Sequence, residues 1–288
     1  MLFLIISILC SVTVSIMLKL AKRYKINVLE AVTWNYFFAI LLGLFFFKPE
    51  ITDLVNLQPD PVYYALGVLL PLVFWFLAAS VKSIGIAKTD VAQRLSLILS
   101  LAAAYFLFGD QFSVAKVAGL VIGLLAVVLL LNKQNSSKNN ASNWIYPVVV
   151  FAGFGLIDIM FKKVAQMRAI PYTSSLIYIF ALAFIVSLLA ILYTFFVNHK
   201  KLQLINFLCG GILGFFNFFN ILFYMKAHQA MADHPSTVFA AMNLGVIITG
   251  CLAGVLIFKE KLSSSNIVGL MLAIVAISLI TIAQVYAI

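Results

Sequence analysis

The residue of this chain with the most chemistry to offer is an aspartate in the middle of a hydrophobic run. Asp158 stands inside VVVFAGFGLIDIMFK and is the only acidic residue well inside an apolar stretch. An ionisable group in such surroundings is expensive, and it faces either a cavity or a partner. On a helix, Gly155, Asp158 and Lys162 fall at i, i+3 and i+7 and share a face. Two readings stay open: a carboxylate that couples proton movement or binds a cationic substrate, or an internal ion pair with Lys162 one turn on, or with Arg94. Further along, GFFNFFNILFY puts Asn217, Asn220 and Tyr224 on one face of a Phe-rich segment. Amides in apolar surroundings are costly unless satisfied, so these should face inward. They serve either substrate contact or hydrogen bonds between helices. Gln93, Ser96 and Ser100 make a third polar face, Ser236, Asn243 and Gly250 a fourth, and Ser7, Ser11 and Ser15 a weaker fifth that equally suits close packing. Trp75 is suited to stack on a ring or to pack, and Pro71 one turn before it should kink its helix. The candidate substrate-binding set is Asp158, Asn217, Asn220, Gln93, Asn243, Ser96, Trp75 and Tyr224, with Asp158 as the candidate coupling residue.

No other chemistry is spelled out. Cys10, Cys209 and Cys251 are isolated and fit no metal motif or redox pair. His199, His228 and His234 form no H-E-x-x-H, and neither G-x-S-x-G nor G-x-x-x-x-G-K-[ST] occurs. No cofactor and no metal are expected. An intramembrane enzyme is disfavoured, because no paired acid/base or metal cluster sits in the apolar runs.

The elements that must position these side chains are membrane helices. The chain is 64% hydrophobic and 10% charged, with a mean hydropathy of +1.13, whereas soluble domains are about 25% charged. A hydrocarbon core needs about 20 apolar residues per helix, and ten such segments can be read: 2–18, 31–47, 62–86, 91–108, 114–131, 144–161, 172–197, 204–225, 236–258 and 266–286. The runs are too long and too continuous for a membrane barrel. The first lacks a basic leader and an A-x-A-type site, so it reads as a retained helix. Trp34 and Trp144, near span ends, read as interfacial anchors.

The linker NKQNSSKNNASN divides the chain, and the halves on either side of it resemble each other. FGDQFSVAKVAGL mirrors FKEKLSSSNIVGL at an offset of 150, pairing Asp110 with Glu260, Ser113 with Ser263 and Gly119 with Gly269; Gln93 and Asn243 share that offset. Lys19 pairs with Lys162 and Lys82 with Lys226 at offsets of 143 and 144. Those lysines serve either as headgroup-reaching cations or as gating contacts that swap between two states. The expected organisation is a first five-helix repeat over 1–132, a linker over 133–143 and a second repeat over 144–288. Five spans per repeat invert the second copy. Such inverted repeats build secondary transporters with a midplane site and alternating access. With no nucleotide site, movement must be gradient-coupled, exchange or facilitated.

With two such repeats, each ending in an acidic turn and a Gly-bearing helix (GDQFSVAKVAGLVIGLLAVVLL and KEKLSSSNIVGLMLAIVAISLI), the chain resembles the drug/metabolite transporter superfamily, in its EamA-like branch. The resemblance covers essentially the whole chain. It implies a ten-helix basket with a central cavity and the transport of amino acids, sugars or other small metabolites. It also implies that helices five and ten are packing elements. Gly119-x-x-x-Gly123 and Gly269-x-x-x-Ala273 suit that role.

Charge bias gives an orientation. Thirteen Lys and Arg fall on the linker side and six on the side carrying both termini, which places the linker inside and the termini outside. The resemblance implies the opposite. The net charge of +10 is accounted for by flanking cations at headgroups, so the expected partners are a small-molecule substrate and membrane lipid, with no nucleic acid. Localisation should be a bacterial inner membrane. A flippase for a lipid or lipid-linked sugar is the alternative within the membrane class.

Overall fold

A computed structural model of the chain describes residues 2–23, 26–49, 60–84, 86–131, 145–167, 171–198, 202–259 and 263–286. Among them every regular element is an α-helix. In chain order these are α1 (Leu2–Arg23), α2 (Val28–Phe47), α3 (Pro61–Ile84), α4 (Ile86–Leu95), α5 (Leu97–Phe106), α6 (Val114–Leu131), α7 (Ile145–Gln166), α8 (Tyr172–Asn198), α9 (Leu204–Ala230), α10 (Pro235–Phe258) and α11 (Ser264–Tyr286). Six of them, α2, α3, α8, α9, α10 and α11, are long and apolar enough to cross a membrane, and shorter apolar stretches lie in α1, α4–α5 and α6. Helices suit this composition because they satisfy their own backbone hydrogen bonds where lipid offers none.

Local chemistry sets the ends. The Asn27 side chain accepts from the Leu29 amide at 3.1 Å and caps α2. Pro235 opens α10, where its missing N–H costs nothing. Gly109, at φ +64°, turns the chain after α5 through a backbone region that favours glycine.

Two boundaries differ from the sequence expectation. The gap over 87–90 between the expected third and fourth spans is helical, lying within α4, which starts at Ile86. A one-residue interruption falls inside the expected fourth span, at Ser96, whose backbone stays right-handed helical at φ −55° and ψ −22°. Its hydroxyl donates to the Gln93 carbonyl at 2.6 Å, and its carbonyl accepts from the Leu99 amide at 2.9 Å. A serine that bonds back to its own helix competes with the ladder and bends it. Trp34, expected as an interfacial anchor, packs edge-on against Phe207 of α9 with 4.9 Å between ring centroids. Trp144 and the linker lie outside the described residues.

The core is largely apolar, but it takes in polar side chains while large apolar ones cover the surface. Ser7, Thr33, Asn35, Ser100, Lys162, Asn206, Asn217 and His228 are buried, while Phe45, Phe106, Leu204, Leu256 and Met271 are exposed. An apolar coat over an interior that also takes in polar side chains suits lipid.

The main contacts join the two halves. α6 packs on α11; α2 packs on α8 and α9, and α8 on α2 and α3; α1 packs on α9 and α10, and α7 on α3, α4 and α5. Exchanging the halves leaves this pattern unchanged. The self-paired helices run antiparallel. Gly119, early in α6, faces Ala276 and Ile280, late in α11. Gly43, late in α2, faces Ile177, early in α8. At Gly119 a Cβ would lie 2.8 Å from Ile280 Cγ1, so the glycine expected to serve packing does so.

Candidate functional site

Asp158 sits at the level of the α4–α5 break and is held by side chains from both halves. Ser100 on α5 donates to its Oδ2 at 3.1 Å. Tyr224 on α9 donates to its Oδ1 at 3.0 Å. The Arg94 charge on α4 and the Asn243 amide on α10 act on the same carboxylate, while Asn243 Nδ2 also donates to the Phe239 carbonyl at 3.1 Å. Ser100, Tyr224 and Asn243 are buried, and Asp158 keeps part of its surface open. Five helices therefore converge on one partly buried carboxylate that its donors stabilise.

Glycine makes the convergence possible. One turn before Asp158, a Cβ on Gly155 would lie 2.8 Å from Leu99 Cβ. Bare backbone there lets α5 come close enough for Ser100 to reach the carboxylate. At Gly153 a Cβ would lie 2.4 Å from Val73 Cγ2, which brings α3 against the same helix.

Of the two ion-pair partners open in the sequence, Arg94 lies near enough for its charge to act on Asp158, and Lys162 bonds elsewhere. Lys162 is fully buried, yet its Nζ donates to the Ala232 carbonyl at 2.7 Å and lies 5.8 Å from the Phe108 ring centroid. The remaining candidates are spread around the centre. Asn220 accepts from Ser7 on α1 through its Oδ1 at 2.9 Å, which joins α1 to α9. Asn217 is buried on the same helix. The Ser96 hydroxyl is spent on Gln93, whose side chain is half-buried. Trp75 is half-buried on α3, and its indole N–H is buried with no hydrogen-bond partner among the described residues.

Three polar features escape the sequence reading. Glu30 is buried in the first turn of α2, where Asn27 donates to Oε1 at 2.8 Å and Asn206 of α9 to Oε2 at 2.8 Å. His228 is fully buried between Tyr224 and Phe239, with ring centroids 4.7 and 4.8 Å away. Asp110 is gripped by Lys116 at 2.6 Å and accepts from the Ser236 amide at the start of α10 at 2.8 Å, where a helix N-terminus favours negative charge. With the Lys162–Ala232 bond, that contact ties the α5–α6 turn, α7 and the α9–α10 turn together at one end of the bundle. Among the described residues no three His, Cys, Asp or Glu side chains gather as a metal-ligand set.

Comparison with known proteins agrees with this construction. Residues 1–132 and 143–282 each match the EamA-like transporter family, so the division falls at the linker. An uncharacterized protein of Haemophilus influenzae is 39% identical over 282 residues, covering 95% of both chains. A solved crystal structure superposes with a TM-score of 0.74 at 17% identity, covering 98% of this chain and 96% of its own. At that identity the likeness speaks for the fold.

Proposed function

We propose, on the premise that this chain belongs to the EamA-like transporter family, that it is a secondary transporter carrying a small polar or amphipathic metabolite across a bacterial inner membrane by alternating access. The observation that carries this reading is the Asp158 carboxylate, bonded from the first half by Ser100 and from the second by Tyr224 while part of it stays open. The antiparallel self-paired helices support an inverted relation between the halves. If α4 and α5 count as one interrupted span, the chain has ten. An interrupted span beside an ionisable side chain is how transporters of this kind place a binding site near the midplane.

In this mechanism the substrate is held between the halves, with its polar groups on Asp158, Arg94 and Asn243. A cationic group or a proton exchanges for the bonds that Ser100 and Tyr224 make to the carboxylate. The contacts of Asp110 with Ser236 and of Lys162 with Ala232 close one end of the bundle, and access from that end requires both to open. The substrate class is an amino acid, a sugar or a metabolite of similar size.

The test is thermal unfolding of the detergent-purified protein against a metabolite library. A ligand that binds only the folded state adds about 2.7 kcal/mol at a hundredfold excess over Kd. At least one compound should raise the midpoint of the wild type and leave that of Asp158→Asn unmoved. An equal rise in both would remove Asp158 from the site.

A further inference from the structure

Lys226 near the end of α9 is a cation with no anion of its own. No carboxylate lies within ion-pair distance of it among the described residues. Its Nζ is bracketed by two aromatic rings instead, 5.7 Å from the Phe3 centroid and 5.8 Å from the Phe223 centroid. Those rings stack on each other at 6.1 Å and 18°, so the ammonium is held in place rather than trailing freely. Beside it lies a shallow, open depression at the ends of α1, α8 and α9, lined by Phe3, Tyr172, Lys226, Gln229 and Ala230. Gln229 donates one amide hydrogen to the Ala165 carbonyl at 3.2 Å, which leaves its second facing outward.

A phenylalanine ladder runs down α9 from this cation at helical spacing. Phe223 stacks on Phe219 at 6.0 Å and 21°. Phe219 meets Phe215 at 4.9 Å and Phe46 of α2 at 5.4 Å. The ladder ends on the lipid-exposed surface, where Phe215 and Ile212 are 45% and 53% exposed. A fixed ammonium above a continuous apolar track has two halves with different uses. The first suits a phosphate, and the second suits a hydrocarbon chain.

We propose that Lys226, the open depression beside it and the Phe223–Phe219–Phe215 ladder form a binding site for one anionic phospholipid, with the phosphate on the Lys226 ammonium and an acyl chain along the rings. A free phosphate would use the lysine alone, and one cation is little against the hydration of a small dianion. A zwitterionic lipid would bring an ammonium for which the lining offers no carboxylate. A lysine near the bilayer surface attracts anionic headgroups by about 1 kcal/mol. Lys226 and Phe223 flank Tyr224 on α9 but take no part in the bonds to Asp158, so the proposal stands whether or not the chain transports.

Native mass spectrometry of the full chain in non-ionic detergent tests this. The probes are phosphatidylglycerol, phosphatidylcholine with the same acyl chains, and inorganic phosphate. The wild type should retain one phosphatidylglycerol in preference to phosphatidylcholine. Lys226→Gln should lose that preference by about the fivefold that one near-surface lysine supplies, and Lys226→Arg should keep it. Phe219→Ala should weaken both lipids alike, and inorganic phosphate should neither bind nor displace lipid. Equal retention of the two lipids by the wild type, which needs no variant, would overturn the proposal. So would unchanged selectivity in Lys226→Gln. Displacement by inorganic phosphate would assign the site to a soluble anion instead.

Discussion

Adding one methyl group at Gly155 should undo the site without touching a polar atom. In Gly155→Ala the new Cβ would sit 2.8 Å from both Cβ and Cδ1 of Leu99. Carbon atoms pack at about 3.5 Å or more, so α5 must retreat by about 0.7 Å, because Leu99 Cβ is fixed to its backbone. The Ser100–Asp158 bond is 3.1 Å long, and a retreat of that size carries it past hydrogen-bonding range. Overpacking costs about 1–3 kcal/mol, and a lost bond to a charged group about 1.5–3 kcal/mol. The sum is several-fold larger than the roughly 0.5 kcal/mol typical of a neutral substitution. The assay is thermal unfolding of the purified protein across a double-mutant cycle. Leu99→Gly alone should be destabilising, both as a cavity and as a helix glycine. Combined with Gly155→Ala, it removes the Leu99 Cβ and Cδ1 that the new methyl would meet and should recover part of the loss, giving a favourable coupling energy. Additive effects, or a wild-type melt for Gly155→Ala, would refute the claim that close approach of α5 builds the site.

Three further outcomes follow from the geometry. Tyr224→Phe removes one of the two hydroxyl donors to Asp158 and should lower stability by about 1.5–3 kcal/mol, read from the same unfolding assay. Asp110→Ala strands the buried Lys116 and strips the acceptor from the start of α10. A broken buried pair costs about 3–5 kcal/mol, and the same variant should raise the reactivity of thiols introduced near Ser236. Glu30→Ala leaves the buried Asn206 amide without its acceptor and should cost about 1–3 kcal/mol. Glu30→Gln, which keeps an oxygen there, should cost less, and equal losses would deny the bond its role.

Much of the fold was legible because length and apolarity fix a membrane helix almost alone. Val114–Leu131 has the expected bounds, since charges and turn residues flank it on both sides. The break at Ser96 was not legible, because a serine inside a helix bonds back, caps or packs according to its neighbours, and only the fold decides. The site was half legible. Asp158, Tyr224 and Asn243 stand out as polar atoms in apolar runs, and the structure gathers them with Ser100 and Arg94. Lys162 looked like a partner for Asp158 by spacing, but the carbonyl that takes it, at Ala232, belongs to another helix end and leaves no trace in local spacing. Glu30 and His228 fell just outside the expected spans. Helices α2 and α9 extend past those limits and carry both residues into the interior.

Accessibility of position 158 to water puts the whole account at risk in one measurement. Asp158→Cys would be placed in a background lacking Cys10, Cys209 and Cys251, with Ile212→Cys as the lipid-facing control, and both treated in membranes with a charged, hydrophilic thiol reagent. A chamber between the halves predicts rapid modification at 158, slowed by any compound that stabilises the wild type, and little at 212. No modification at 158, or modification no faster than at 212, would mean a sealed interior and contradict transport through this site.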